Sequence, residues 1–248
     1  MSNIDVNLEV YANDFRQTNG LNSKEAIRLK SILQKNNILT AYLPLSDDFS
    51  GMAIKLNQGD ETKRFILVNS NQTIGRQHFT ICHELYHLYF QKDFTSEKSI
   101  VGKFDKNNLE EYKADTFASY LLLPYSGLMQ LIPEHERPKN KITLKTILYI
   151  ENYYSCSRAA LLIRLSGLNL IDKNHHIQFS LDIRKNALLY GYNCDLYNPG
   201  NENTVIGNYG SMARELFDKG VVSESSYFSL LEDMGIDLTD IDNKSDHE

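Results

Sequence analysis

The segment Phe79 to Phe90 constrains the fold of this chain more than any other stretch, because it places His83, Glu84 and His87 in a largely apolar run. Phe79, Ile81, Leu85, Leu88 and Phe90 supply an apolar helix that can be buried. Four residues separate the two histidines, so on a helix both imidazoles share one face, one turn apart, and both can bind a single zinc ion. Glu84 sits about 100° further round the helix, within reach of a water on the metal rather than the metal itself. Zinc lowers the pKa of that water, and Glu84 is placed to take its proton as a general base.

A catalytic zinc usually has three protein ligands and one open position, so the third ligand should come from another element. Glu111 and Asp115 are also four apart, in Glu111-Tyr112-Lys113-Ala114-Asp115. Glu111 can bind the metal, and Asp115 can accept the free N–H of a ligand histidine. Glu110 is the neighbouring alternative, and a ligand elsewhere stays open. Ala114 and Ala118, at helical spacing, would let two helices approach closely. Arg76, Tyr86 and Tyr112 are candidates for contacts to the substrate or to a developing oxyanion, with packing as the competing role. The pair His175-His176 lies in an expected loop before a strand and is read as surface.

The hydrophobic periodicity predicts an α+β fold: a small three-stranded sheet on a helical core, followed by a small mixed C-terminal region. A first helix is expected over 23–34, capped by Ser23, then strands over Ile38–Leu43, Met52–Leu56 and Phe65–Val68. Helices follow over 74–90, 108–123, 125–132, 144–154 and 158–168. Beyond Asp172 the pattern changes: Ile177–Ile183 alternates like a strand that Leu188–Tyr192 can join, and 191–208 is loop. Two last helices are expected over 211–219 and 223–234, and the acidic tail from Asp237 to Glu248 should fray. These shifts divide the chain into a metal-site domain over 1–172 and a C-terminal region over 173–248 suited to recognising a substrate or a signal.

Taken together, Arg76, Phe79 to Leu88, and Glu111 to Pro124 resemble the ImmA/IrrE metallopeptidases over roughly residues 25 to 170. The resemblance implies a zinc-dependent endopeptidase that cleaves a regulatory protein, in particular a helix-turn-helix repressor encoded nearby, within mobile-element, defence or stress operons. It implies His83, His87 and Glu111 as ligands and Glu84 as base. Family members often carry glycine before the second histidine, where this chain has Tyr86. Many also begin with a DNA-binding helix-turn-helix, for which the residues before Leu21 are too few.

Partner expectations follow from charge. With net charge -6 the bulk field does not attract nucleic acid, so DNA contact would need a local patch. The helix pair over 144–168 has helix-turn-helix proportions, but its basic residues Lys145, Arg158 and Arg164 are sparse, and packing is the favoured role. No signal peptide or membrane span is visible, and three scattered cysteines read as free thiols, which points to the cytoplasm. Two rival functions remain: a non-proteolytic sensor binding DNA or a ligand on a zinc scaffold, and a toxin-like protease of a paired operon. A peptide substrate is expected to add as a strand at a sheet edge, beside Phe65–Asn69.

Overall fold

The computed structural model of the protein describes residues 3–59 and 61–232, so the tail from Asp237 and the end of the last expected helix lie outside the described residues. The fold is α+β, with five strands rather than the expected three. Strand β1 (Ile38–Leu43) runs parallel to β3 (Glu61–Asn69), which pairs antiparallel with β2 (Gly51–Gln58). Two short strands extend the sheet, β4 (Ser96–Ser99) beside β2 and β5 (Val205–Ile206) beside β1, in the order β4-β2-β3-β1-β5. Neither carries an apolar alternation long enough to read, because each lies at an edge. One consequence concerns peptide addition: β3 is paired on both sides, so Phe65–Asn69 is not an edge, and β4 is the border strand on the β2 side.

The sheet turns one face to the core. In β1, Ile38, Thr40 and Tyr42 are buried, and the register sets Thr40 against Ile66 and Ile66 against Ala53. Helix α3 (Ile74–Tyr89) lies on this face and packs against α4 (Leu109–Leu122), where Ala114 and Ala118 are fully buried. Small side chains there allow the close approach that the site requires.

Helix α1 (Asn3–Thr18), absent from the sequence reading, packs on α4. Its Arg16 is fully buried and donates to the carbonyls of Leu121, Asn22 and Glu25. That explains why helix α2 spans only Leu29–Lys35 and is not capped by Ser23. The Asn22 side chain holds the amides of Lys24 and Glu25, and Arg16 takes carbonyls that a helix would use for itself.

Beyond α4 come α5 (Tyr125–Leu131), α6 (Leu144–Tyr154) and α7 (Arg158–Gly167), close to expectation, with Thr143 and Ser157 as N-caps. Of the three basic residues on the α6–α7 pair, Arg158 and Arg164 are buried. Arg158 pairs with Glu151, and Arg164 donates to the Leu123 carbonyl and lies over the Tyr120 ring, so neither faces outward as a phosphate contact would.

The expected strands after Asp172 are helices: α8 (Lys173–Phe179), capped by Asp172, and α9 (Ile183–Leu189). The apolar alternation there is not a buried face, since Ile177 and Leu181 are exposed. The residues turned inward are Phe179 on α8 and Ile183 and Ala187 on α9, the last two at a spacing of four, with the left-handed Asp182 breaking the chain between the helices. His175 and His176 therefore sit on α8, where His175 Nδ1 contacts Asp172 at 3.0 Å. The segment then returns to the core: Ile74 N–H donates to the Asn198 carbonyl, and β5 closes on β1. Helices α10 (Tyr209–Asp218) and α11 (Glu224–Glu232) follow and pack on each other.

Candidate metal centre

Helix α3 delivers His83, Glu84 and His87 to the interior, all fully buried. Its first turn approaches the turn before α7 so closely that a Cβ on Gly75 would stand 2.7 Å from the Ser157 nitrogen. Gly51, at the start of β2, serves the same purpose beside Glu84. A Cβ there would meet Thr80 Cγ2 at 2.4 Å and Glu84 Oε1 at 3.1 Å. No local pattern signals the role of Gly51, because the constraint comes from a helix about thirty residues away in the chain.

Three donor groups converge. His83 Nε2 and His87 Nε2 are 3.0 Å apart, and Glu111 on α4 places one carboxylate oxygen 3.4 Å from the first and the other 3.2 Å from the second. Asn108 caps α4 by accepting from the Glu111 amide, which starts the helix in the register that turns Glu111 inward. Glu110 points elsewhere, accepting from the Tyr86 hydroxyl at 3.0 Å and pairing with Lys113.

The remaining nitrogens of both histidines are occupied. Asp115 Oδ1 lies 2.8 Å from His83 Nδ1, and the amides of Gly102 and Phe104 donate to the two Asp115 oxygens at 2.8 and 2.7 Å. His87 Nδ1 bonds to the Gln91 side chain, and the Phe94 ring stacks on the His87 ring at 5.2 Å. Gln91, missed in the sequence reading, was findable from its spacing of four from His87. The two loop amides leave no mark on residue type.

Burial alone would lower the His83 pKa, but hydrogen bonds to Asp115 and Glu111 and the negative field of Glu84 raise it to about 10. Glu111 moves the other way: burial would raise it, yet both histidines hold it at about 2. Glu84 is raised by burial, against the pull of both histidines. Both Glu84 oxygens are buried and lack a hydrogen bond of good geometry, with the Ser99 hydroxyl nearby supporting the charged form.

This donor set fits a divalent metal. Two imidazole nitrogens and a carboxylate face one point, all ligand atoms lying within 4.8 Å of one another, and the second nitrogen of each ring is tied to a neighbouring acceptor. Orphaned carboxylate oxygens in a dry interior are costly unless a cation or a proton donor meets them. His83, His87 and Glu111 could hold the ion, leaving Glu84 beside it.

The other candidates lie apart from this point. Arg76 is exposed and approaches Ser50 Oγ at 3.4 Å. Tyr86 spends its hydroxyl on Glu110, and its ring stands edge-on to His87 at 5.7 Å. Tyr112 faces α1, donating to Asp5 at 3.2 Å. Cys82 is buried, and burial pushes its thiol up to about 12, so it behaves as a core residue.

Asp115→Ala should weaken zinc binding by about 10–100-fold, because it frees the His83 ring to rotate. Glu110→Ala should leave it unchanged. Competition with a chromophoric chelator measures both, and a reversed order would show that Glu110 belongs to the centre.

Among the described residues no helix is long and apolar enough to cross a membrane. No curated protein matches the chain. Residues 34–166, more than half of the chain, match the IrrE N-terminal-like domain of the Peptidase M78 family, and this stretch contains every donor of the centre. The chain therefore belongs to the ImmA/IrrE family of metallopeptidases.

Proposed function

We propose that the protein is a zinc-dependent endopeptidase, with His83, His87 and Glu111 as metal ligands, Asp115 as the partner that orients His83, and Glu84 as general base. The observation that carries this reading is the convergence of three ligand atoms beside the fully buried Glu84 carboxylate. A structural zinc site is usually closed by four ligands and has no use for such a group. When bound, zinc supplies Lewis acidity and lowers the pKa of the attacking water. Glu84 accepts a proton from that water and returns it to the leaving amine. Asp115 and Gln91 hold the two imidazoles in one tautomer and orientation throughout.

The edge strand suits a peptide. Lys98 of β4 and the following Ile100 line a cavity of about 210 Å³ with Glu111 and Asp115. A substrate segment that pairs with β4 would run past the centre. The regulatory protein implied by the family resemblance, a helix-turn-helix repressor encoded nearby, is the proposed substrate, and the C-terminal region over 173–248 is proposed to recognise the substrate or an activating signal.

Purified protein should contain about one zinc per chain, and His87→Ala should lose it. Full zinc in His87→Ala by elemental analysis would remove the metal assignment. Co-expression with the neighbouring repressor should yield one or a few defined fragments, read by mass spectrometry. An intact repressor under inducing conditions would remove the substrate.

A further inference from the structure

A second cavity, of about 250 Å³, shares two of its lining residues with the cavity that Glu111 and Asp115 line. The segment 100–104 is their common wall: Ile100 and Lys103 line both cavities, and the Gly102 and Phe104 amides hold Asp115. Phe79, Val101, Phe104 and Ile163 make this second cavity apolar, and Arg76 and Lys103 bring positive charge to its wall. None of its lining residues is acidic, on a chain whose net charge is -6. Among the described residues the Arg76 side chain enters no ion pair, and its hydrogen bond is a long contact to Ser50.

Size narrows the occupant. Pockets for drug-sized ligands run from about 300 to 1,000 Å³, and this one falls just below that range. It suits one amino-acid side chain. Phe79 lies one turn before His83 on α3, so one side of the cavity is built from the helix that carries the metal ligands. An occupant there would sit across the 100–104 segment from Asp115.

We infer that this cavity is the specificity pocket of the site, taking one leucine- or phenylalanine-sized side chain of the substrate with a carboxylate next to it on Arg76. The inference rests on the peptidase reading and adds to it what the enzyme selects. Apolar burial provides most of the affinity, and the exposed guanidinium adds a smaller preference for acidic sequence.

The test uses the zinc-loaded full chain and three probes. The first is a succinyl hydroxamate monoamide that chelates zinc without a side chain. The second carries an isobutyl group, and the third adds an aspartate to the second. Calorimetry should show the isobutyl probe binding at least about tenfold tighter than the first, and the aspartate adding up to about fivefold. Ala159→Phe fills the cavity from an exposed position on α7, so it should fold normally and erase the isobutyl gain while leaving the first probe unaffected. Ile163→Ala should instead shift preference from isobutyl to benzyl. Arg76→Gln should remove only the aspartate gain. Equal binding of the first two probes, or an isobutyl gain that survives Ala159→Phe, overturns the pocket while the metal site stands. Failure of the first probe to bind zinc-loaded protein overturns the peptidase reading, and the pocket falls with it.

Discussion

Glu84→Gln should abolish cleavage, by at least about 10²-fold, while zinc content and folding remain those of the wild type. The amide keeps the shape of the carboxylate but cannot accept a proton, so proton transfer alone is removed. Glu84 is fully buried, and the Ser99 hydroxyl that supports its charged form can also donate to the amide oxygen. A neutral amide is also cheaper to bury than a carboxylate, so stability should hold or rise slightly. Removing a ligand histidine would be less informative, because losing His83 also leaves the buried Asp115 and half-buried Glu111 without its ring. The comparison requires rates of repressor cleavage with metal analysis of the same samples. The sensor reading makes the opposite forecast: Glu84→Gln would induce the controlled operon as strongly as wild type in cells, and that result would make proteolysis irrelevant.

Arg158→Ala should destabilise the protein by about 3–5 kcal/mol, the usual cost of stripping one partner from a buried ion pair. The Arg158 Nη2 to Glu151 Oε1 distance is 2.7 Å, both side chains are buried, and Nη1 donates to the Phe179 carbonyl at 2.9 Å. The Tyr197 hydroxyl donates to the same carboxylate. The cluster thus fastens Phe179 and Tyr197, both beyond Asp172, to the α6–α7 turn. With Arg158 removed, Glu151 is left charged and buried, with Tyr197 as its remaining side-chain donor. Burial would lower the Arg158 pKa, yet Glu151 raises it, so the guanidinium stays charged and the loss is that of a full ion pair. The double variant Glu151→Met with Arg158→Met should recover only part of the loss, because it removes the uncompensated charge but leaves the Tyr197 hydroxyl and the Phe179 carbonyl without their partners. Urea unfolding measures both, and a midpoint for Arg158→Ala matching wild type would show that the pair is dispensable.

What the sequence determined by itself was local. The spacing of four in His83–His87 and in Glu111–Asp115 is a helical property, so it told which side chains share a face before any contact was known. The long helices α3, α4, α6 and α7 were legible for the same reason, as were the three strands with enough β-branched and apolar residues to show. Ile177–Ile183 misled because exposed Ile177 and Leu181 imitate alternation, while the segment is two short helices broken at the left-handed Asp182. Only the tertiary structure decided whether Glu110 or Glu111 faces the histidines, since adjacent glutamates differ by about 100° and the cap at Asn108 sets the register. It alone showed that Gly51 must lack a side chain beside Glu84, that two loop amides hold Asp115, and that the Ser96–Ser99 and Val205–Ile206 strands complete the sheet. These features depend on backbone groups and on residues distant in the chain, and backbone N–H and C=O groups are the same at nearly every position, so residue identity carries no record of where they end up.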